Sequence, residues 1–532
     1  MHRRDFLLGS GLSAAGLAAA QAQQAQQVQQ AKTLRYGFPV AETGFDPAQI
    51  NDLYSRTIVA NILEAPYTYD YLARPVALKP CTAAALPEVG DDYRTFTIRL
   101  RPGIYFADDP AFGGQRRELT AADYVYSIKR FFDPRTKSPL YNTFERAGIL
   151  GMAGLRAQAQ KTGRFDYDRE VEGLRAPDRY TLQVRLQEPR PRFVNLLADH
   201  AVAGAVAREV VEFHGDAIMQ HPVGTGPFRL TQWRRSSRLV LERNPGYRPD
   251  FYDEQPAAGD AAAAAIAGRL RGRRLPMVDR VEVYIVEESQ PLWLAFLNGE
   301  HDLIGNVPQE FVGTAAPDGV LAPGLARRGL RIDRQVVSSI AFTYFNMDDP
   351  VVGGYTPPQV ALRRALGLAW DVEEEIRLLW HGQAVLAQGP IPPRTSGYDP
   401  AWVSGMNVFD RPRAKALLDT YGFVDRDGDG WRERPDGSPL VLELASAPDR
   451  RGRETQQLWK RNMDAVGIRM AFRYGQWPEL LRQARAGRMM LWQLGNSASS
   501  PDGGEFLDLV YGPNKGYGNF SRFDLPAFNG PG

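Results

Sequence analysis

Two hydrophobic periods alternate along this chain, and the switches between them divide it into short strands and helices. Thr33–Phe38 (TLRYGF), Thr95–Leu100 (TFTIRL), Tyr180–Leu186 (YTLQVRL) and Val281–Val286 (VEVYIV) repeat every second or so residue, the pattern of strands with one buried face. Apolar residues at helical spacing predict helices over Arg56–Tyr67, Glu118–Phe132, Phe144–Phe165, Arg192–Ala205, Val206–His214 and Gln290–Asn298. In Glu118–Phe132, Thr120 followed three residues later by Asp123 predicts the N-cap and its carboxylate partner. Gly299 closes Gln290–Asn298. Further on, Ile340–Asn346, Val441–Ala445 and Met470–Tyr474 read as strands. Pro358–Trp370, Val372–Trp380, Pro412–Tyr421 and Arg453–Val466 read as helices. Strands alternating with helices predict an α/β protein.

The stretch that organises the rest is His221–Arg248, HPVGTGPFRLTQWRRSSRLVLERNPGYR. Gly224 and Gly226 flank Thr225, and Pro227 sets the backbone exit, which predicts a rigid turn into the strand Phe228–Trp233. The polar loop Arg234–Ser237 leads to a second strand, Arg238–Glu242, and Asn244-Pro245-Gly246 closes the unit. A phosphate-binding loop is excluded, because GTGPF has no Lys-Ser/Thr and feeds a strand rather than a helix N-terminus.

Composition changes this picture little. The 532 residues are 43% hydrophobic and 24% charged with net charge +2, so more than one core is expected, and nothing favours nucleic acid or an anionic membrane. The N-terminus adds more. Arg3-Arg4 precede a small-residue apolar run and Ala20-Gln21-Ala22, a cleavage pattern, so residues 1–22 read as an export signal of twin-arginine type, with Sec export as the alternative. The Gln-rich residues 23–31 read as a linker. Cys81, the single cysteine, excludes an internal disulfide and lies far from any lipid-anchor position; a small buried hydrophobe is expected there.

HPVGTGPFRL followed by LERNPGY resembles the signature of the family 5 extracellular solute-binding proteins, which serve ABC importers of peptides, nickel and related solutes. The LRPGI turn before an LTAADYVYSIKR helix, and Phe345-Asn346 ahead of Ala361–Asp371, are similar to that family too. The resemblance implies a two-lobe, type II periplasmic-binding-protein fold that closes on its ligand by a hinge. It implies a monomer that docks on permease subunits with cytoplasmic ATPases, without a cofactor and without catalysis. The implied boundaries are lobe I at 32–54 and 179–285, an inserted subdomain at 55–178, an Ala-rich insertion at 257–274, and lobe II at 286–532. The family continues past Asn519–Phe528, so the chain is expected to stop before its return to lobe I.

The candidate site residues follow from the same resemblance. Met489–Phe506 matches the family's ligand loop, with Trp492 as the aromatic that packs on the ligand; core packing is the alternative for that ring. Asn496, Ser497 and Asp502 stand beside it, and Phe45, Asp46, Tyr344 and Asn346 complete the expected set. Peptide-binding relatives hold the ligand ammonium with an acid soon after the tryptophan, whereas Gly495-Asn496-Ser497 carries none. A longer or modified peptide is the first expectation, and a non-peptide solute (haem, a nickel complex, an opine, an antibiotic-like compound) or a sensor or chaperone role the second. Asp425, Asp427 and Asp429 have the spacing of a calcium loop, with Asp436 at the last ligand position, but a strand stands where the second helix belongs. No H-E-x-x-H, G-x-S-x-G or S-x-x-K constellation supports an enzyme.

Overall fold

The computed structural model describes residues 31–529 apart from 406, 407, 449, 476, 499 and 517. The export signal and most of the Gln-rich linker fall outside the described residues. The chain forms two compact units that divide at Asn306–Val307.

In the first unit the strands are β1 (Thr33–Phe38), β2 (Tyr67–Tyr69), β3 (Leu78–Pro80), β4 (Glu88–Val89), β5 (Thr95–Arg99), β6 (Leu174–Asp178), β7 (Thr181–Arg185), β8 (Phe228–Arg234), β9 (Arg238–Arg243), β10 (Arg280–Ile285) and β11 (Leu303–Ile304). One sheet has the order β11-β1-β10-β9-β8, and a second β4-β5-β7-β6. β1 lies between the parallel strands β10 and β11, with Tyr36 opposite both Val283 and Leu303. β8 and β9 form the expected hairpin.

Two expected boundaries are corrected by strand pairing. The limit at 178 separates β6 from β7, yet these pair with each other and β7 pairs along β5, so the subdomain sheet extends through Arg185. Its apolar core reaches further, to Val210 and Ile218. Lobe II was expected from 286, but β11 joins the first unit's sheet, and the division falls at 306/307 instead.

Helices follow local chemistry. Ala121–Arg130 starts at Thr120, whose amide donates to the Asp123 carboxylate at 2.7 Å in a capping box. The helix expected over Arg56–Tyr67 is only Leu53–Val59. Past it, the Asn61 and Ile62 carbonyls accept from the Phe228 and Gly226 amides, so the glycine turn takes over backbone groups that a longer helix needs. The stretch 144–165 divides into Tyr141–Ala147 and Met152–Thr162, because Gly148 and Gly151 both take positive φ between them.

The second unit carries β12 (Ser339–Phe345), β13 (Val441–Ser446), β14 (Arg469–Tyr474) and β15 (Leu491–Ser497) in the order β12-β15-β13-β14. β13 is parallel to both β14 and β15, and β12 is antiparallel to β15. One face of this sheet buries Leu442, Leu444 and Leu491 with Leu362 and Leu366 of helix Pro357–Ala369, and Trp459 and Met463 of helix Arg450–Asp464. The other face carries Tyr344, Ala445 and Trp492 with Leu480 and Ala484 of helix Trp477–Arg485. Among the described residues no helix is long and apolar enough to cross a membrane.

Candidate functional site

The HPVGTGPF turn is built by close approach rather than by unusual dihedrals. A Cβ on Gly224 would lie 2.1 Å from the Ile62 carbonyl oxygen, and one on Gly226 2.6 Å from the same atom. Thr225, between them, donates its hydroxyl to Glu64 at 2.8 Å. Glu64 is 3% exposed and meets Arg248 through both guanidinium nitrogens, at 2.7 and 2.9 Å. Both ends of the motif therefore converge on one buried acid that the sequence reading did not single out. The only cue was a single charged residue inside the apolar run Ile62–Tyr67. Cys81 is buried beside this pair, and burial pushes its thiol well above the ordinary range.

Three expected ligand residues are occupied by structure instead. The carboxylate of Asp46 receives Arg130 at 2.5 and 2.7 Å, and both side chains are almost wholly buried. Gln49 donates to the same acid at 2.6 Å, so its oxygens are taken up inside the first unit. Phe45 is 1% exposed and meets Trp233 edge to face at 4.9 Å. Asn346 is also buried; its amide donates to the Gly487 carbonyl at 2.9 Å, and its oxygen accepts from the Asp348 amide at 3.1 Å. These two bonds fix the turn after β12.

The stretch Met489–Phe506 is not a single loop. It contains β15, and a short helix, Gly504–Leu507, follows. Trp492 is 3% exposed, opposite Tyr344 in the β12–β15 register, and packs with Leu480 and Met489. Burial raises the Tyr344 phenol above its ordinary value. Asn496 and Ser497 stand at the carboxyl end of β15, half-buried and exposed respectively. Asp502 accepts from the Gly504 amide at 2.9 Å, two residues ahead in the turn that enters the short helix.

The carboxyl ends of β13, β14 and β15 lie on one edge of the sheet, the edge at which open α/β sheets place their ligands. Gln493 follows the last β13–β15 register pair, Ala445 with Trp492. Its amide donates at 2.7 Å to Glu375 on helix Val372–Leu379. On the same side Tyr474, the last residue of β14, donates its hydroxyl to Gln456 at 3.0 Å. Trp370 stacks on Trp459 at 4.4 Å, and the Arg451 guanidinium lies 4.0 Å from the Trp380 ring centre. A polar and aromatic cluster thus borders this edge.

In the acidic loop the fourth carboxylate beside Asp425, Asp427 and Asp429 is Glu433, not Asp436. Asp436 instead accepts from the Ser438 hydroxyl at 2.6 Å. Asp425 accepts from the amides of Gly428 and Gly430, Asp427 from Asp429, and Asp429 from Trp431 while pairing with Arg469 at 3.0 Å. These bonds hold the acids in their own turn.

Known proteins extend this geometry. At the sequence level the chain is 26% identical over 498 residues to the di/tripeptide-binding protein 2 of Pseudomonas aeruginosa, covering 88% of this chain and 77% of that protein. It is 23% identical to the periplasmic oligopeptide-binding protein OppA of Salmonella typhimurium, covering 91% and 78%. In fold it is similar to HbpA2 from Haemophilus parasuis, with a TM-score of 0.68 at 18% identity over 93% of this chain and 86% of that one. DppA from Helicobacter pylori, solved with the peptide STSA, gives 0.65 at 19% over 94% and 86%. These likenesses carry the two-lobe α/β periplasmic-binding-protein architecture that the two units and their sheets are built for. The profile of the bacterial extracellular solute-binding proteins, family 5, matches residues 77–518, most of the chain, and the protein belongs to that family.

Proposed function

We propose that this protein is the periplasmic substrate-binding component of an ABC importer, and that it captures a peptide or peptide-like solute. The observation that carries this reading is the family match across 77–518, joined to a relative of 26% identity that is a di/tripeptide-binding protein. Binding performs no chemistry. Ligand enters because the liganded form is lower in free energy, and that form is presented to permease subunits as a monomer. Residues 1–22 direct export.

On the second unit, Asn496 and Ser497 at the end of β15 offer the solute hydrogen-bonding groups. Trp492 acts from beneath, holding β12 and β15 together. Asp46, Phe45 and Asn346 are withdrawn from the ligand set, since the first unit's ion pair, its aromatic contact and the β12 turn occupy them. Native mass spectrometry of the purified protein tests the reading: peptides of defined length released on denaturation are expected, and exclusive retention of a non-peptide solute would overturn it.

A further inference from the structure

The Ala-rich stretch 257–274 takes no part in the site described above, and its helix has two unlike faces. Helix Ala261–Leu270 turns Ala263 and Ala267 inward, where both are buried. Ala262, Ala265 and Ile266 stay exposed on the outer face, and Arg269 follows them there. The chain then runs Arg271-Gly272-Arg273-Arg274, and from Ala261 to Pro276 it carries no acid. All four arginines are exposed, and among the described residues their side chains make no ion pair or hydrogen bond. The arginines on either side of the stretch behave differently. Arg243 pairs with Asp279 at 2.9 Å, Arg248 with Glu64 at 2.7 Å and Arg280 with Glu242 at 2.9 Å.

The backbone beneath the free arginines is held in place. The Tyr252 amide donates to the Arg273 carbonyl and the Gly272 amide to the Tyr252 carbonyl, both at 2.9 Å. Phe251 pairs with Arg274 in an antiparallel bridge, which sets the two side chains on one face, and Phe251 is 51% exposed. The nearby acids are engaged elsewhere. Asp253 and Glu254 pair with Lys79, Asp250 accepts from the Tyr247 hydroxyl at 2.9 Å, and Asp260 accepts from the Ala263 amide at the far end of the helix. The net charge of +2 over the whole chain thus conceals a basic patch with an aromatic ring and an uncharged helix face beside it. This combination selects a partner. Guanidinium groups suit phosphate oxygens. With no acid fixing their rotamers, four of them meet a fluid plane of phosphates by number of charges, whereas an acidic protein surface demands matched positions. The exposed Phe251 and Ile266 can enter the headgroup region, as apolar residues of interfacial helices do.

We propose that this patch docks on an anionic phospholipid surface and keeps the protein beside the membrane. Its use rests on the importer reading above, which puts the permease in that membrane. Docking itself is read without solute or permease, so its failure leaves the importer reading standing. The test is cosedimentation of the protein, processed at residue 22, with vesicles of phosphatidylcholine alone or with about one-third phosphatidylglycerol. Wild type is expected to pellet with the anionic vesicles, to stay in solution with the neutral ones, and to be released by sodium chloride at about 0.5 M. R271Q/R273Q/R274Q should partition at least about ten times more weakly. R327Q/R331Q, at exposed arginines of the second unit, should match wild type. No pelleting with anionic vesicles overturns the proposal, and so does equal pelleting with neutral ones or binding that survives the salt. An unchanged partition of the triple variant, or an equal loss in R327Q/R331Q, overturns it as well. The salt release uses wild type alone and decides the matter should the triple variant misfold by circular dichroism.

Discussion

Substituting Gly224 by alanine tests the claim that the GTG motif exists for close backbone packing. The added Cβ would sit 2.1 Å from the Ile62 carbonyl oxygen, 2.8 Å from its carbon and 2.6 Å from Leu63 Cδ2. The leucine can rotate away; the carbonyl cannot move alone. It accepts from the Gly226 amide at 2.9 Å, the adjacent Asn61 carbonyl accepts from Phe228 at 3.2 Å, and the Gly224 carbonyl accepts from Ala107 at 2.8 Å. Overpacking costs about 1–3 kcal/mol, and each hydrogen bond weakened by the shift costs about 1 kcal/mol net. With the three bonds the sum is about 4–6 kcal/mol, and at about 2 °C per kcal/mol for a unit of this size the melting temperature should fall by roughly 8–12 °C. Differential scanning calorimetry reads this directly. Gly268→Ala is the control: it lies in helix Ala261–Leu270 with open space around its Cβ position, where alanine should be neutral or mildly stabilising. If G224A melted within 1 °C of G268A, the steric account of the motif would be wrong.

Other perturbations probe other parts of the structure. Glu64→Ala leaves Arg248 buried without its acid and should destabilise the first unit by about 3–5 kcal/mol in urea titration; a loss below 1 kcal/mol would contradict the role given to that pair. Trp492→Ala removes a large side chain from the cluster around Tyr344 and Leu480, so a loss of about 3–5 kcal/mol is expected, and an unchanged urea midpoint would place the ring outside the core. Burial holds the His301 imidazole below its ordinary value of 6.5, against the opposing pull of Glu300 and Asp302. The unfolded chain therefore takes up the proton more readily, so this contribution to stability is full above about pH 6.5 and is lost as the pH falls. His200 is depressed by burial in the same direction. His301→Leu should flatten the decline in melting temperature between pH 7 and pH 5, and parallel curves for variant and wild type would refute the assignment.

Much of the fold was readable because the local signals agree with the tertiary outcome. The alternating pattern of 33–38, 95–100 and 281–286, the capping pair Thr120 and Asp123, and the hairpin over 228–243 all appear near their expected places. Local pattern failed where distant contacts decide. β7 looks like any alternating strand, and only its partner β5 assigns it to the subdomain sheet. The helix after Leu53 stops because a turn more than 160 residues away claims its carbonyls. The site was less legible for the same reason. Asp46 and Asn346 carry ligand-binding chemistry but spend it on Arg130 and on a backbone turn, while Glu375 sits in a glutamate run that looks solvated, yet it is buried and accepts from Trp370, Trp380 and Gln493.

The central claim, that this member of the family binds peptides, is tested most directly by thermal shift of the purified protein against peptides from two to five residues long, with haem and nickel complexes in parallel. A ligand that binds only the folded form raises the melting temperature with its concentration. The account predicts a saturable rise with at least one length class of peptide and none with the other solutes. No response to any peptide, together with a saturable rise for haem or a nickel complex, would contradict it.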